Sequence, residues 1–128
     1  MFANNGWLVT PHLAKGEIDW MAPQYGRVVL IKLSTLNTIR KSLCKVVEVG
    51  TGYVLNGQCI PLAAGKTGIA EDSTEGPDHA WFGCYAPYPE GKIVVVAFAQ
   101  NTPGGGSVHA LPVAKKVLAA WEQSRQKD

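Results

Sequence analysis

The sequence predicts an α+β fold, with an antiparallel three-stranded meander packed against helices. Three observations predict it. Two stretches, 34–49 and about 109–124, carry apolar residues at helical spacing. Three stretches between them, 62–71, 79–86 and 92–100, have the composition of strands. The connections between those strands, "EDSTEGPD" and "PYPEG", are of hairpin length and hold the Pro and Gly that turn a chain back on itself.

Residues 1–26 read as irregular. "VTPHL" suggests a short extended piece, and "KGEIDWMAPQYG" has the Gly, Pro and Asp of a surface excursion. In "STLNTIRKSLCKVVEVG", Ser34 is the expected N-cap and Gly50 the expected C-terminal stop. Leu36, Ile39, Leu43, Val46 and Val47 make one apolar face of that helix. The strands follow as "LAAGKTGIA", "HAWFGCYA" and "KIVVVAFAQ". The last is apolar and β-branched almost throughout, as a central strand covered on both faces would be. "NTPGGGS" is a loop, and the segment from Val108 closes the chain as a helix. Pro112 is tolerated in its first turn, and Val113, Val117, Leu118 and Trp121 are its expected buried stripe. No internal repeat is visible.

The 128 residues suit one small domain or a piece of a larger one. Hydrophobic residues make up 46% and charged residues 17%, an ordinary globular balance. A net charge of +2 gives no electrostatic reason for a nucleic-acid partner, and none is expected. The longest apolar run, Ile93–Ala99, is far too short to span a bilayer. "MFANNGWLVTP" has no basic segment followed by an apolar one, so no signal peptide is read. That points to the cytosol only for a chain whose true start is residue 1. Cys44, Cys59 and Cys84 are odd in number and match no metal spacing, so they read as isolated reduced thiols. No metal or cofactor is expected. His79 and His109 read as surface or capping residues.

The chemistry concentrates in "AAGKTGIAE", residues 63–71. A nucleotide-binding loop would need G-x-x-x-x-G-K-[ST] and an immediate helix. Here the first glycine is replaced by Ile60, and Thr67 is followed by Gly68 and an acidic turn. The triplet Lys66-Thr67-Gly68 instead matches the K-T-G of penicillin-binding proteins and serine β-lactamases. Alone, the triplet reads more readily as a solvated strand lysine beside a turn glycine.

Its context adds to it. "FANNGWLVTPHL", "VVEVGTGYV", "AGKTGIAE", "HAWFGCYAPYPEGKIVVVAFAQN" and "GGGSVHALPVAKKVL" occur in an order that resembles class B penicillin-binding proteins. The resemblance runs from Phe2 to about Trp121. It implies that residues 1–128 are the C-terminal portion of the transpeptidase domain of a penicillin-binding protein 2-like enzyme. The three strands would then be part of a larger sheet, in the fold shared with serine β-lactamases. Such enzymes acylate a serine with the D-Ala-D-Ala end of a peptidoglycan stem peptide, and a second stem peptide resolves the acyl-enzyme. β-Lactams and the remainder of the domain are the other implied partners, and the implied location is the periplasmic face of the inner membrane.

By resemblance, Lys66 supplies positive potential for the substrate carboxylate and Thr67 a hydroxyl that contacts it. Gly68 leaves room for the substrate backbone. The family usually has threonine at the next position, where the backbone N–H serves the oxyanion hole. Ile69 keeps that N–H and loses the hydroxyl. The family's S-x-N is missing. One S-x-x-K is present, Ser42 to Lys45, but helical geometry puts Lys45 nearly opposite the apolar face, so it reads as a decoy. No catalytic residue is therefore assigned. Two readings remain beside an enzyme part: a split or degenerate module that binds without catalysis, and a β-lactam sensor or β-lactamase relative.

Overall fold

A computed structural model describes residues 1–10, 26–57, 61–71 and 76–126. In chain order the elements are β1 (Trp7–Val9), β2 (Gly26–Val28), α1 (Leu33–Val49), β3 (Ala64–Ala70), β4 (His79–Ala86), β5 (Ile93–Ala99) and α2 (Ala110–Arg125). Short 3-10 turns occupy Phe2–Asn4 and Tyr53–Leu55. The architecture is the expected α+β meander. β3 pairs antiparallel with β4 and β4 with β5, in the order β3-β4-β5. Lys66 stands opposite Gly83, and Gly83 opposite Val96. The expected "VTPHL" piece is only partly described. β1 covers Trp7–Val9 and pairs with β2, a hairpin that the sequence did not suggest. Apart from Gly26, the expected surface excursion lies outside the described residues.

α1 begins one residue before the expected cap. Lys32 has extended backbone and its carbonyl accepts the first helical bond from the Leu36 N–H at 3.0 Å. Ser34 is thus already inside the first turn, where its carbonyl accepts the Thr38 hydroxyl at 2.9 Å. The buried face is Leu36, Arg40, Cys44 and Val47, at steps of four, four and three. Arg40 is only 8% exposed, and its Nε donates to the Phe2 carbonyl at 2.7 Å. That bond ties the N-terminal segment to α1.

The main core lies between α2 and one face of the sheet. Ala80, Phe82 and Cys84 of β4 and Val95 and Ala97 of β5 meet Leu111, Ala114 and Leu118 of α2, with Val47 and Leu55 closing one end. Phe82, Leu111 and Leu118 are fully buried. Each such side chain stabilises the fold by about 1.5–3 kcal/mol. The expected stripe of α2 is corrected here. Leu118 is buried and Trp121 half-buried, but Val113 and Val117 are exposed. Ala110, Leu111 and Ala114 take their place. Two small alanines let the helix lie close to the sheet, which turns the valines outward.

β5 is corrected too. Its inward residues are covered by α2, but Val94 and Val96 on the other face are 63% and 65% exposed. Trp81 and Phe98 lie on that same open face, their rings 4.5 Å apart. Among the described residues β5 pairs with β4 alone and forms one border of this three-stranded sheet. A β-branched run marks a strand able to be covered twice; here only one cover is present. No helix among the described residues is long and apolar enough to cross a membrane.

Candidate functional site

β3 borders the sheet on the side opposite β5, so alternate N–H and C=O groups along it point away from the sheet. The strand runs unbroken through Lys66, Thr67, Gly68 and Ile69. No helix follows Thr67, which removes the nucleotide-loop reading. These four residues line a groove of about 330 Å³ with Thr51 and the loop 104–107. Lys66 and Ile69 are exposed, and Thr67 and Gly68 half-buried. The Lys66 ammonium donates to the Thr67 carbonyl at 2.6 Å. The Thr67 hydroxyl lies 3.0 Å from that of Thr51.

Two features of this groove escaped the sequence reading of the site. One is Thr51, delivered by the turn after α1. The other is how closely the glycine-rich loop approaches the paired backbones of β3 and β4. A Cβ on Gly106 would fall 2.1 Å from the Trp81 carbonyl oxygen and 3.1 Å from that of Gly68. Only glycine permits that contact between backbones. Gly68 differs. A Cβ there would meet Trp81 Cβ at 3.4 Å, an ordinary contact, so the fold itself does not demand a glycine.

The Ser42–Lys45 pair lies apart from this groove. Ser42 is exposed and its hydroxyl donates to the Thr38 carbonyl at 3.0 Å. Lys45, with a side chain 69% exposed, pairs with Glu48 at 2.6 Å. That hydrogen bond raises the lysine pKa and lowers the glutamate's, which holds the ammonium charged. A charged ammonium cannot take a proton from serine.

The remaining candidates serve structure. His79 Nδ1 accepts the Asn101 N–H at 3.2 Å, and His109 Nε2 lies 2.6 Å from the Pro103 carbonyl. His109 precedes α2 but its side chain caps no helical N–H. Cys44 and Cys84 are buried free thiols, and Cys59 lies outside the described residues. Burial pushes the Cys84 thiol up to about 11. No cluster of potential metal ligands occurs among the described residues.

Comparison with known proteins gives a consistent result. A family model described as the penicillin binding protein transpeptidase domain matches residues 1–119. The chain is 32% identical to the peptidoglycan D,D-transpeptidase MrdA of Haemophilus influenzae, over 98% of this chain and 22% of that protein. Among solved structures it resembles PBP2 of Pseudomonas aeruginosa in complex with WCK 5153, at 30% identity and a TM-score of 0.73, over 94% of this chain and 27% of that one. It also resembles the D,D-transpeptidase domain of a peptidoglycan glycosyltransferase from Eggerthella lenta, at 27% identity and a TM-score of 0.70. That match covers 96% of this chain and 30% of the other. The chain thus spans less than a third of each of these relatives.

Proposed function

Since the chain belongs to the penicillin-binding protein transpeptidase family, we propose that it forms the C-terminal portion of a peptidoglycan D,D-transpeptidase domain and supplies the K-T-G wall of its cleft. The observation that carries this reading is the groove along β3, where Lys66, Thr67, Gly68 and Ile69 meet Thr51 and loop 104–107. In this reading the Lys66 ammonium sets the positive potential that draws the terminal carboxylate of a stem peptide, or of a β-lactam, into the groove. Thr67 donates its hydroxyl proton to the carboxylate. Gly68, which the fold does not require, keeps the groove open for the substrate backbone. The Ile69 N–H donates to the oxyanion as the tetrahedral intermediate forms, so its stabilisation is realised in the transition state.

The nucleophilic serine and its base come from chain outside these residues, because Ser42 and Lys45 are exposed and committed elsewhere. The chain alone is therefore inactive, and its first partner is the remainder of the domain. The open face of the sheet supports this. Val94, Val96, Tyr85, Leu43 and Phe2 line a second pocket of about 290 Å³ on that side. The Tyr85 hydroxyl is buried there, with the Arg40 guanidinium as its polar neighbour. A missing segment that supplies apolar side chains fits it. The complete protein would work at the periplasmic face of the inner membrane, without a cofactor.

Joining this chain to the preceding segment of the transpeptidase domain and adding a fluorescent penicillin tests the proposal. A covalent adduct on a serine of the added segment is expected. An adduct-free joined protein with a cooperative unfolding transition would favour a binding module instead.

A further inference from the structure

We infer that Thr51 is a positioning residue for the ligand carboxylate, acting through the hydroxyl of Thr67; this rests on the role proposed above for Thr67. Thr51 sits between Gly50 and Gly52 in the turn that ends α1. The N–H groups of both glycines converge on one acceptor, the Val46 carbonyl, at 3.1 and 2.9 Å. A Cβ on either glycine would approach that same oxygen to 2.9 or 3.1 Å. The turn is therefore clamped tightly to the last turn of α1, and it holds Thr51 exposed on the groove. Its hydroxyl oxygen lies 3.0 Å from that of Thr67, sixteen residues later on β3.

The direction of that hydrogen bond follows from proton counting. A carboxylate accepts hydrogen bonds and donates none. Thr67 has one hydroxyl proton. When it gives that proton to the carboxylate, its oxygen can only accept from Thr51. The result is a chain running from the Thr51 hydroxyl to the Thr67 hydroxyl to the carboxylate, in which each bond polarises the next. In the empty groove the pair can point either way. A carboxylate selects one orientation, and Thr51 makes that orientation the satisfied one. Without Thr51, the Thr67 hydroxyl keeps its oxygen and loses the partner that aims its proton. The Lys66 ammonium lies on the Thr67 carbonyl at 2.6 Å and does not substitute for that partner.

The test uses the complete transpeptidase, with Thr51→Val and Thr51→Ser beside wild type. Valine matches threonine in shape and removes only the hydroxyl. Stopped-flow acylation is measured with a penicillin free acid and with its methyl ester, separating the binding constant from the limiting rate. For the free acid, Thr51→Val should weaken the pre-acylation binding constant by about three- to tenfold, the size of one neutral hydrogen bond. The limiting rate should stay nearly constant, since the carboxylate is held in ground and transition states alike. Thr51→Ser should bind as wild type does. The ester, whose neutral carbonyl is a weaker acceptor than a carboxylate, should show a smaller difference between Thr51→Val and wild type. Equal binding of the acid by wild type and Thr51→Val overturns the inference, and so does an equal loss for acid and ester. A wild-type enzyme that forms no adduct refutes the transpeptidase reading itself, and this inference with it.

Discussion

Replacing Gly106 by alanine should force the glycine-rich loop off the paired strands β3 and β4. The added Cβ would sit 2.1 Å from the Trp81 carbonyl oxygen, with Gly68 O and N at 3.1 and 3.2 Å. An ordinary contact begins at 3.4 Å, so the shortfall at Trp81 is 1.3 Å. The atoms in the way are backbone on paired strands, so no rotamer change relieves them. The loop must recede by about 1 Å, at an overpacking cost of about 1–3 kcal/mol. The Gly106 carbonyl also accepts the Leu111 N–H at 2.8 Å, which seats the first turn of α2. Movement therefore reaches the core. For a domain of this size the cost should lower the melting midpoint by roughly 3–12 °C. In the complete enzyme, a displacement of about 1 Å beside the reacting groups should slow acylation by up to about a hundredfold. Gly83→Ala is the control in the isolated chain, because a Cβ there meets nothing within 4 Å. It should leave the midpoint unchanged or raise it slightly. Thermal melts of both variants and second-order acylation rates of the complete Gly106→Ala enzyme decide the matter. A Gly106→Ala protein with wild-type midpoint and rate would show that the loop does not press on β3 and β4 and would remove it from the site.

Lys66→Ala should slow acylation of the complete enzyme about ten- to a hundredfold without changing the midpoint, the effect of one charge-assisted hydrogen bond. Lys66→Arg should recover only part of that loss, as a planar fork does not replace a compact ammonium. Ile69→Thr should be neutral or mildly activating, as the backbone N–H is already present. The isolated chain should show no mass shift with a fluorescent penicillin, and an adduct on Ser42 would contradict the geometry of that residue. Burial raises the Cys84 thiol from an ordinary 9.0 to about 11. The unfolded thiol ionises first, so the stability tied to the buried neutral form is complete below pH 9 and is lost as pH rises through about 11. Denaturant midpoints across this range should fall less steeply for Cys84→Ala than for wild type, and parallel curves would show that Cys84 is not the group responsible.

Where the sequence carries strong local signals, it anticipated the structure. Pro and Gly between the strands bracketed β3, β4 and β5 to within two residues, because hairpin turns must be made by such residues. The triplet Lys66 to Gly68 stood out because its spacing is chemical as well as structural. What escaped depends on partners distant in the chain. β1 and β2 have three residues each, too few for periodicity to register. Arg40 reads as a charge on an apolar face until the Phe2 carbonyl, thirty-eight residues away, is seen to accept its Nε. Thr51 carries no signal of its own, since only the clamp on Val46 brings its hydroxyl to Thr67. The β-branched run of β5 signals a strand fit to be covered on both faces, and nothing in it tells that Val94, Val96 and Phe98 stand uncovered among the described residues.

The order β3-β4-β5 also has a kinetic consequence. Each strand pairs with its neighbour in sequence, so loop closure costs little and a hairpin of this kind forms in about 1–10 μs. α2, which follows directly, can seal one face soon afterwards. Val94, Val96, Trp81 and Phe98 then remain on a finished but uncovered surface beside an open strand edge. Folding is thus fast and waiting is slow. The time spent without a cover sets the exposure to self-association, which grows with concentration while folding does not. Soluble yield of the isolated chain should therefore depend on dilution, and hardly at all on how quickly the meander itself forms.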